Sequence, residues 1–518
     1  MKDYLNFFEQ DEVKGKTFNI TGLCIPSKHY MVNIDYKLKS IIKLVQRENY
    51  FLINRPRQYG KTTTLHTLEE ILKTRYKVIS LDFEGLGSVF DSEENFCNYF
   101  INAINSSIEL KLESVYAFVD LINVIKKITI NMDVILIIDE VDKASNNKLF
   151  LDFLGMLRSL YLIRSKGNGT TFKSVILAGV YDIKNLKIKF REDSDIRYNS
   201  PWNIAVNFDI DMSFNEFEIG TMLEDYSKEN NLELEIESLS KEIFKFSNGY
   251  PFLVSRICQV VDEDIIKNNK KPWTIQEIQK AVKIIINEKN MLFDDLIKNM
   301  ENNKELYECI YNVLILNINQ VFNINNPVIE LGHMLGYLIV DNDNNVEVSN
   351  QILKEVIYNY MISKTNVANM SGYNFKDNFI VSNNGLNMES ILLKFQQFMK
   401  ENYSTRDTEF LERHGVLLFL SFIKPIINGV GFDYKEVQIS EERRIDIVIQ
   451  YNQNKYVIET KIWHGDIAHQ KGLVQLKNYL NIEGLDKGYL LIFNFNKNKE
   501  YTNEKYIIEE KEIFEVIV

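Results

Sequence analysis

Long apolar runs are missing from this 518-residue chain. No stretch reaches the roughly eighteen consecutive apolar residues that a membrane-spanning helix needs. The opening residues, MKDYLNFFEQDEVKG, also lack the basic-then-apolar order of a signal peptide. A cytoplasmic protein without membrane partners is expected. Cysteine is scarce: Cys24, Cys97, Cys258 and Cys309 are far apart and form no C-x-x-C pair, which argues against a disulfide frame or a zinc site. A basic balance is missing too, with 60 Lys and Arg against 72 Asp and Glu, a net charge of -12 and a pI near 5.3. Passive coating of nucleic acid is disfavoured, because phosphate contacts come from Lys and Arg. A local basic channel stays open. Aromatic residues, 12% of the chain, are spread through strands and helices and read as core, not as a base-stacking platform.

The chain does contain a core of ordinary size. Hydrophobic residues make up 45% and charged residues 25%, and the length allows roughly three domains. Strands are expected at Tyr50–Asn54, Tyr76–Leu86, Met132–Asp142 and Phe172–Asp182, with a helix at Thr62–Lys73. Apolar strands separated by helical segments signal a parallel sheet covered on both faces. From Asn215 the pattern turns helical, and Asn248–Val261 reads as a buried helix opened by a Gly-x-Pro turn. Two short strands within Gly336–Asn350, flanked by helices, suggest a winged helix over 303–363. Its segment NPVIELGHMLGYL is weakly basic, so a lid or partner surface is favoured over a DNA reader. Residues 364–385 are polar and aperiodic, as in a linker. Helices are then expected at Met388–Tyr403, Thr408–Ile427 and 467–481, and strands at 434–438, 444–451, 455–461 and 488–494.

Two motifs carry chemistry in the first half. RPRQYGKTTTL, Arg55 to Leu65, follows a strand and opens a helix, as a phosphate-binding loop (Walker A) does, but Arg55 stands where the first glycine belongs. Backbone N–H groups of such a loop face phosphate at a helix N-terminus. Arg57, Gln58, Tyr59, Gly60, Lys61, Thr62 and Thr63 are the candidate ATP-binding residues, with Lys61 for the β- and γ-phosphates and Thr62 for magnesium. VILIIDE ends a strand in Asp139 and Glu140, the Walker B arrangement in which Asp139 holds magnesium and Glu140 polarises the attacking water. A basic turn and a helix-capping acidic pair are the plain alternatives, and the two motifs in order on one chain favour the nucleotide site.

RPRQYGKTT, ILIIDEVDK and VILAGVYDIKNLK together resemble the prokaryotic AAA-like ATPases of the archaeal-type and STAND-like branch, over residues 20–360. The resemblance implies that Arg55 is a family variant, that Ala178 and Gly179 act as sensor 1, and that Gly249–Pro251 report nucleotide state, with Pro251 at the nucleotide. It also makes Arg191 or Arg197 the candidate finger for a neighbouring site in a homo-oligomer, although a solvated arginine is the plainer reading for each.

In RRIDIVIQYNQNKYVIETKIW, Asp446 opens one strand and Glu459-x-Lys461 lies on the next, where alternate residues share a face. Asp446 and Glu459 sit among apolar residues, where a bare charge is costly without a partner or metal. Charged outer faces of a hairpin are the plain alternative. Glu409 and Glu412 lie upstream, and QLKNYL places Gln475 and Tyr479 on one helical face. His464 and His469 fall close by and read as solvated loop residues. The ensemble resembles the PD-(D/E)XK nuclease superfamily, RecB-like members above all, over residues 386–518, with Gly488–Phe495 as its closing core strand. That resemblance implies Asp446, Glu459, the Thr460 carbonyl and Glu412 as ligands of Mg2+ (or Mn2+), Lys461 on the nucleophilic water, and Gln475 with Tyr479 orienting site or substrate.

The expected fold is α/β: a P-loop NTPase parallel sheet with helical lid and winged helix, followed by a smaller α/β restriction-endonuclease-like domain. The expected parts are an ATPase core at 1–214, lid at 215–302, winged helix at 303–363, linker at 364–385 and nuclease domain at 386–518. The expected function is an ATPase whose nucleotide state regulates metal-dependent cleavage of DNA or RNA; both resemblances place such proteins in prokaryotic conflict or defence. The alternative is a nucleotide-gated switch for a protein partner, with a non-cleaving recognition module at the C-terminus. A motor on nucleic acid lacks helicase motifs.

Overall fold

The apolar runs of the first half form one parallel sheet, because each alternately feeds two cores. In the third strand Val134, Leu136 and Ile138 point into one cluster, and Ile135 and Ile137 into the other. The computed structural model describes residues 15–144, 147–180, 202–267, 271–314, 318–364, 385–402, 431–434, 447–451, 454–463, 465–496 and 499–518, with a few shorter pieces. The chain divides into two units: Met1–Leu296 with Glu330–Leu338 and Ser349–Leu353, and Ile297–Ile329 with Ile339–Val348 and Lys354–Val518.

In the first unit α1 (Asp35–Gln46) precedes β1 (Tyr50–Asn54) and α2 (Lys61–Lys73). Then come β2 (Lys77–Asp82), α3 (Glu93–Ile108), α4 (Phe118–Thr129), β3 (Val134–Asp139), α5 (Lys148–Ser165) and β4 (Ser174–Gly179). The strand order is β1-β4-β3-β2. All three pairings are parallel, with Asn54 opposite Gly179 and Asp82 opposite Asp139, so the strands' carboxyl ends share one edge. A parallel bridge from Phe51 to Val206 extends the sheet beyond β1. Ligands of open α/β sheets bind outside that carboxyl edge. β3 ends at Asp139, three residues short of the expected limit, because Glu140 takes a positive φ of 53° and a short turn, Val141–Ala144, follows.

Helices α6 (Glu216–Asn230), α7 (Ile236–Ser247), α8 (Pro251–Gln259), α9 (Ile275–Ile286) and α10 (Met291–Asn302) follow. A capping box between Asn215 and Glu218 starts α6. Glu218 also meets Lys37 of α1 at 2.7 Å, both buried, which fixes α6 on the sheet domain. The expected helix at Asn248–Val261 is α8 continued by a π-turn, Val260–Ile265.

Beyond these lie α11 (Lys304–Leu314), α12 (Pro327–Met334), a two-stranded sheet of β5 (Leu338–Val340) and β6 (Val346–Val348), α13 (Gln351–Lys364) and α14 (Met388–Asn402). Then come β7 (Gly431–Tyr434), β8 (Ile447–Tyr451), β9 (Asn454–Ile462), α15 (Asp466–Glu483), β10 (Lys487–Phe493), β11 (Asn503–Ile508) and β12 (Lys511–Ile517). These strands make a six-stranded sheet in the order β11-β12-β10-β9-β8-β7. The stretch expected to close that sheet is therefore internal: β10 pairs in parallel with both β9 and β12. α15 covers one face, and its Leu473, Leu476 and Leu480 pack on Val457, Leu490 and Ile513. Phe395 of α14 packs against Phe493 on the other face. Residues 435–446 and 403–414, most of the 364–385 linker, and Arg191 and Arg197 lie outside the described residues.

Candidate nucleotide and nuclease sites

The loop between β1 and α2 turns tightly into the helix by its own backbone. Gly60 adopts φ 72°, and Gln58 φ 56°. An added Cβ at Gly60 would meet nothing within 4 Å, so the glycine is required by conformation and not by space. A side chain there costs about 1–2 kcal/mol. Lys61 is buried at 8% exposure and donates to the carbonyls of Arg55 (3.0 Å) and Pro56 (2.9 Å). Burial pulls its ammonium below the ordinary lysine range, against the opposing pull of Glu140, Asp142 and Asp139. Thr62 Oγ1 donates to Asp139 Oδ2 at 3.1 Å, so the loop and the end of β3 meet at one point. Burial raises the Asp139 carboxyl, while the N–H of Glu140 and the hydroxyl of Thr62 oppose it. Burial, then Asp142 and Asp139, raise Glu140.

Arg55 does not fill the missing glycine's space with a free cation. Its guanidinium donates to Asn54 O, Phe208 O and Ile210 O and lies 5.0 Å from the Phe208 ring, while its N–H donates to Gly179 O. It clamps the loop to the edge strand region. Arg57 turns outward to Asp295 at 2.8 Å. Tyr59 packs edge-on against Tyr250 at 4.8 Å, and Thr63 Oγ1 accepts the N–H of Cys24. Gly179, expected as part of a sensor, has its would-be Cβ only 2.5 Å from Asp142 Oδ1, and that oxygen accepts the N–H of Val180.

Pro251 is buried at the first turn of α8. The residue before it makes the contact: Tyr250 Oη donates to the carbonyl of Arg57 at 2.7 Å. Gly249 makes this seating feasible, since at φ 68° its Cβ position lies 1.9 Å from Phe214 O. Tyr250 was legible only as one letter of a turn, and nothing in its local pattern signalled the loop contact.

In the second unit Glu459 and Lys461 share a face of β9. Glu459 is 0% exposed, and its Oε1 lies 2.6 Å from Lys461 Nζ, whose side chain is 34% exposed. A Cβ at Gly472 of α15 would lie 3.5 Å from Lys461 Cγ and 3.7 Å from Cε, so the helix rests on the lysine stem there. Thr460 is buried on the adjoining position. Ile447 opens β8 opposite Ile458; Asp446, the preceding residue, lies outside the described residues, as do Glu409, Glu412 and His464.

Residues 428–505 match the PD-(D/E)XK nuclease superfamily. The match lies in the second unit, and the first unit is a parallel α/β sheet with the β1–α2 turn and Asp139 at its carboxyl edge. Among solved structures the chain is similar to a Walker-type ATPase of Pyrococcus abyssi (12% identity, TM-score 0.45, 66% of this chain and 99% of that one). It is also similar to Cdc6p of Pyrobaculum aerophilum (14%, 0.33, 67% and 97%) and to the RuvB branch migration motor of Thermotoga maritima (13%, 0.33, 63% and 95%). No curated protein matches the chain. The nucleotide site itself rests on the geometry of the loop and the end of β3.

Within the PD-(D/E)XK domain, Gln475 lies on α15 one turn after Gly472, half-buried. Tyr479 is buried further along, over Lys455 near the start of β9, away from Lys461. His469 is not a solvated loop residue: it belongs to the first turns of α15, and its Nε2 contacts Glu515 Oε2 of β12. Glu515 stands opposite Leu490, which stands opposite Glu459, so the two buried carboxylates lie in one row beneath α15. Burial lifts the Glu515 carboxyl, against the pull of His469. Sequence reasoning stopped at β10 and missed Glu515, although IFEVIV carries the signal that exposed Glu459, a carboxylate inside an apolar strand.

Among the described residues no helix is long and apolar enough to cross a membrane.

Proposed function

We propose that this protein binds and hydrolyses ATP, and that its nucleotide state governs metal-dependent cleavage of a phosphodiester by the PD-(D/E)XK domain. The observation that carries the reading is a chain holding both a Thr62–Asp139 contact at a phosphate-type loop and a fully buried Glu459 paired with Lys461.

The residues fit ATP with magnesium. Lys61 is a buried amine whose contacts are two loop carbonyls, and Gln58 Oε1 is buried without a hydrogen-bond partner. Lys61 would meet the β- and γ-phosphates, Thr62 and Asp139 would hold the magnesium, and Glu140 would orient water and accept its proton. Tyr250 connects this loop to α8, giving the lid helices a contact that a change in the loop would disturb. Sensing through Pro251 belongs to the same proposal.

At the second site the fully buried carboxylate of Glu459 fits a hard divalent cation with oxygen ligands. Asp446, the Thr460 carbonyl and Glu412 complete the proposed set, with Mg2+ or Mn2+. Bound there, the ion supplies Lewis acidity and a lowered pKa for water. Lys461 holds that water and offsets negative charge at the phosphate, and Gln475 orients the strand. The proposed parts remain the ATPase core at 1–214, the lid at 215–302, the winged helix at 303–363, the linker at 364–385 and the nuclease domain at 386–518. A cytoplasmic location, DNA or RNA as substrate, homo-oligomeric assembly and a role in prokaryotic conflict or defence belong to this proposal.

The test incubates purified protein with single- and double-stranded DNA and RNA, Mg2+ or Mn2+, and ATP, beside Lys461→Ala and Lys61→Ala. Cleavage lost in Lys461→Ala, and ATP binding lost in Lys61→Ala, support it. Lys461→Ala cutting as fast as wild type refutes the nuclease site, and undiminished ATP binding by Lys61→Ala refutes the phosphate loop.

A further inference from the structure

The chain has three tryptophans. Trp202 and Trp273 are buried, at 0% and 3% exposure. Trp463 is not, and it stands next to the Glu459–Lys461 pair. Its N–H donates to Phe493 O, continuing the ladder past the end of β9. Its side chain packs on the cluster beneath α15 that holds Val457, Leu490 and Ile492. Val457, Glu459, Lys461 and Trp463 therefore follow one another along a single face. The rise of about 6.6 Å per two residues puts the indole one such step beyond the lysine.

α15 supports these last two residues in the same order. Gly472 rests on the Lys461 stem, and His469, one turn earlier, places its ring 5.6 Å from the Trp463 ring at 41°. His469 is itself fixed by Glu515, and its ring lies 5.9 Å from that of Tyr506. A partly buried indole packed beside an anchored imidazole has lost most of its rotamer freedom before any ligand arrives. The brace serves to hold an aromatic face at a set place, which a tryptophan merely covering core would not need.

We propose that Trp463 is a substrate-positioning residue, a stacking platform for an unpaired nucleobase adjacent to the phosphate at Lys461. The substrate of the PD-(D/E)XK domain is then single-stranded nucleic acid. A base inside a duplex already has both faces stacked and cannot offer one to an indole. Stacking is tolerant of base identity, because every base has a π-face. Under this proposal Trp463 would serve the substrate as well as the core against which it packs. This inference rests on the nuclease reading of the site.

Trp202 and Trp273 are buried out of reach of a stacking base, so they supply a background emission and a base-dependent quench is assigned to Trp463 by comparison with Trp463→Phe. The full chain carrying Lys461→Ala, which blocks cleavage, is titrated in Mg2+ with a mixed-sequence 12-nucleotide single strand, and separately with its duplex. End-labelled anisotropy measures affinity in parallel. The single strand is expected to quench emission saturably and the duplex not to. Adding Trp463→Ala should weaken single-strand binding about 5- to 150-fold. Trp463→Phe should keep affinity within a few-fold while abolishing the quench. Should the alanine variant fail to fold, Trp463→Leu replaces it, with the same expected loss. The proposal is overturned if the alanine or leucine variant binds the single strand as tightly as its parent, or if the duplex quenches equally. If no variant binds either strand form, the nuclease reading falls first and this inference with it.

Discussion

Removing the charge of Lys461 while keeping its stem isolates what the Glu459–Lys461 pair contributes to folding. Lys461→Met leaves hydrocarbon against Gly472 but strands a carboxylate that is 0% exposed. Breaking a buried ion pair by deleting one partner costs about 3–5 kcal/mol. Water reaches Lys461, whose side chain is 34% exposed, so a loss at or just below the bottom of that range, about 2–3 kcal/mol, is expected. In a unit of this size that lowers Tm by roughly 4–12 °C. Glu459→Gln removes the buried charge instead, and Glu459→Gln combined with Lys461→Met leaves two neutral groups. The double variant should recover most of the loss, with a coupling of about 1–3 kcal/mol. The assay is thermal and urea unfolding of all four proteins in EDTA, followed by circular dichroism. The reasoning is refuted if the coupling is below about 0.5 kcal/mol, or if Lys461→Met is as stable as wild type.

Gly249→Ala forces a Cβ into Phe214 O and puts alanine at φ 68°. With the left-handed cost of about 1–2 kcal/mol and the Phe214 N–H bond of about 1 kcal/mol, a loss of roughly 2–3 kcal/mol is expected by calorimetry. Tyr250→Phe deletes the hydroxyl that donates to Arg57 O and should cost about 0.5–1.5 kcal/mol, with an altered ATP affinity by isothermal titration. The Asp262 carboxyl, in the π-turn, is raised by burial against the hydrogen bond from Tyr226. A carboxyl raised on folding favours the native state while protonated, and that contribution is lost as pH rises through the folded pKa. Asp262→Asn should therefore gain Tm relative to wild type near neutral pH, with the gain shrinking below the ordinary carboxylate range.

The parallel sheet was legible because β1 to β4 are buried on both faces and read as unbroken apolar runs. The turn at Gly60 and the end of β3 at Asp139 were legible as places in the fold because a strand-to-helix turn at positive φ favours glycine and an apolar run stops at its first carboxylate. β11 and β12 were missed for the opposite reason. NEKYII is a polar edge strand, and KEIFEVI places charges at both ends of a short apolar run. Missing β12 hid Glu515, and without Glu515 the position of His469 had no explanation. Arg55 read from sequence as a glycine lost from a motif; its role as a clamp on Phe208 O and Ile210 O depends on residues more than 150 positions away. Long-range partners of that kind leave no local pattern.

Nucleotide control of cleavage within one chain is the central proposal. Its most direct test is the initial rate of single-strand cleavage in Mg2+ with ATP, with ADP and without nucleotide, for wild type and Lys61→Ala. The prediction is a rate that differs severalfold between ATP and no nucleotide in wild type and is the same under all three conditions in Lys61→Ala. Equal rates in wild type, or an undiminished ATP effect in Lys61→Ala, would contradict it.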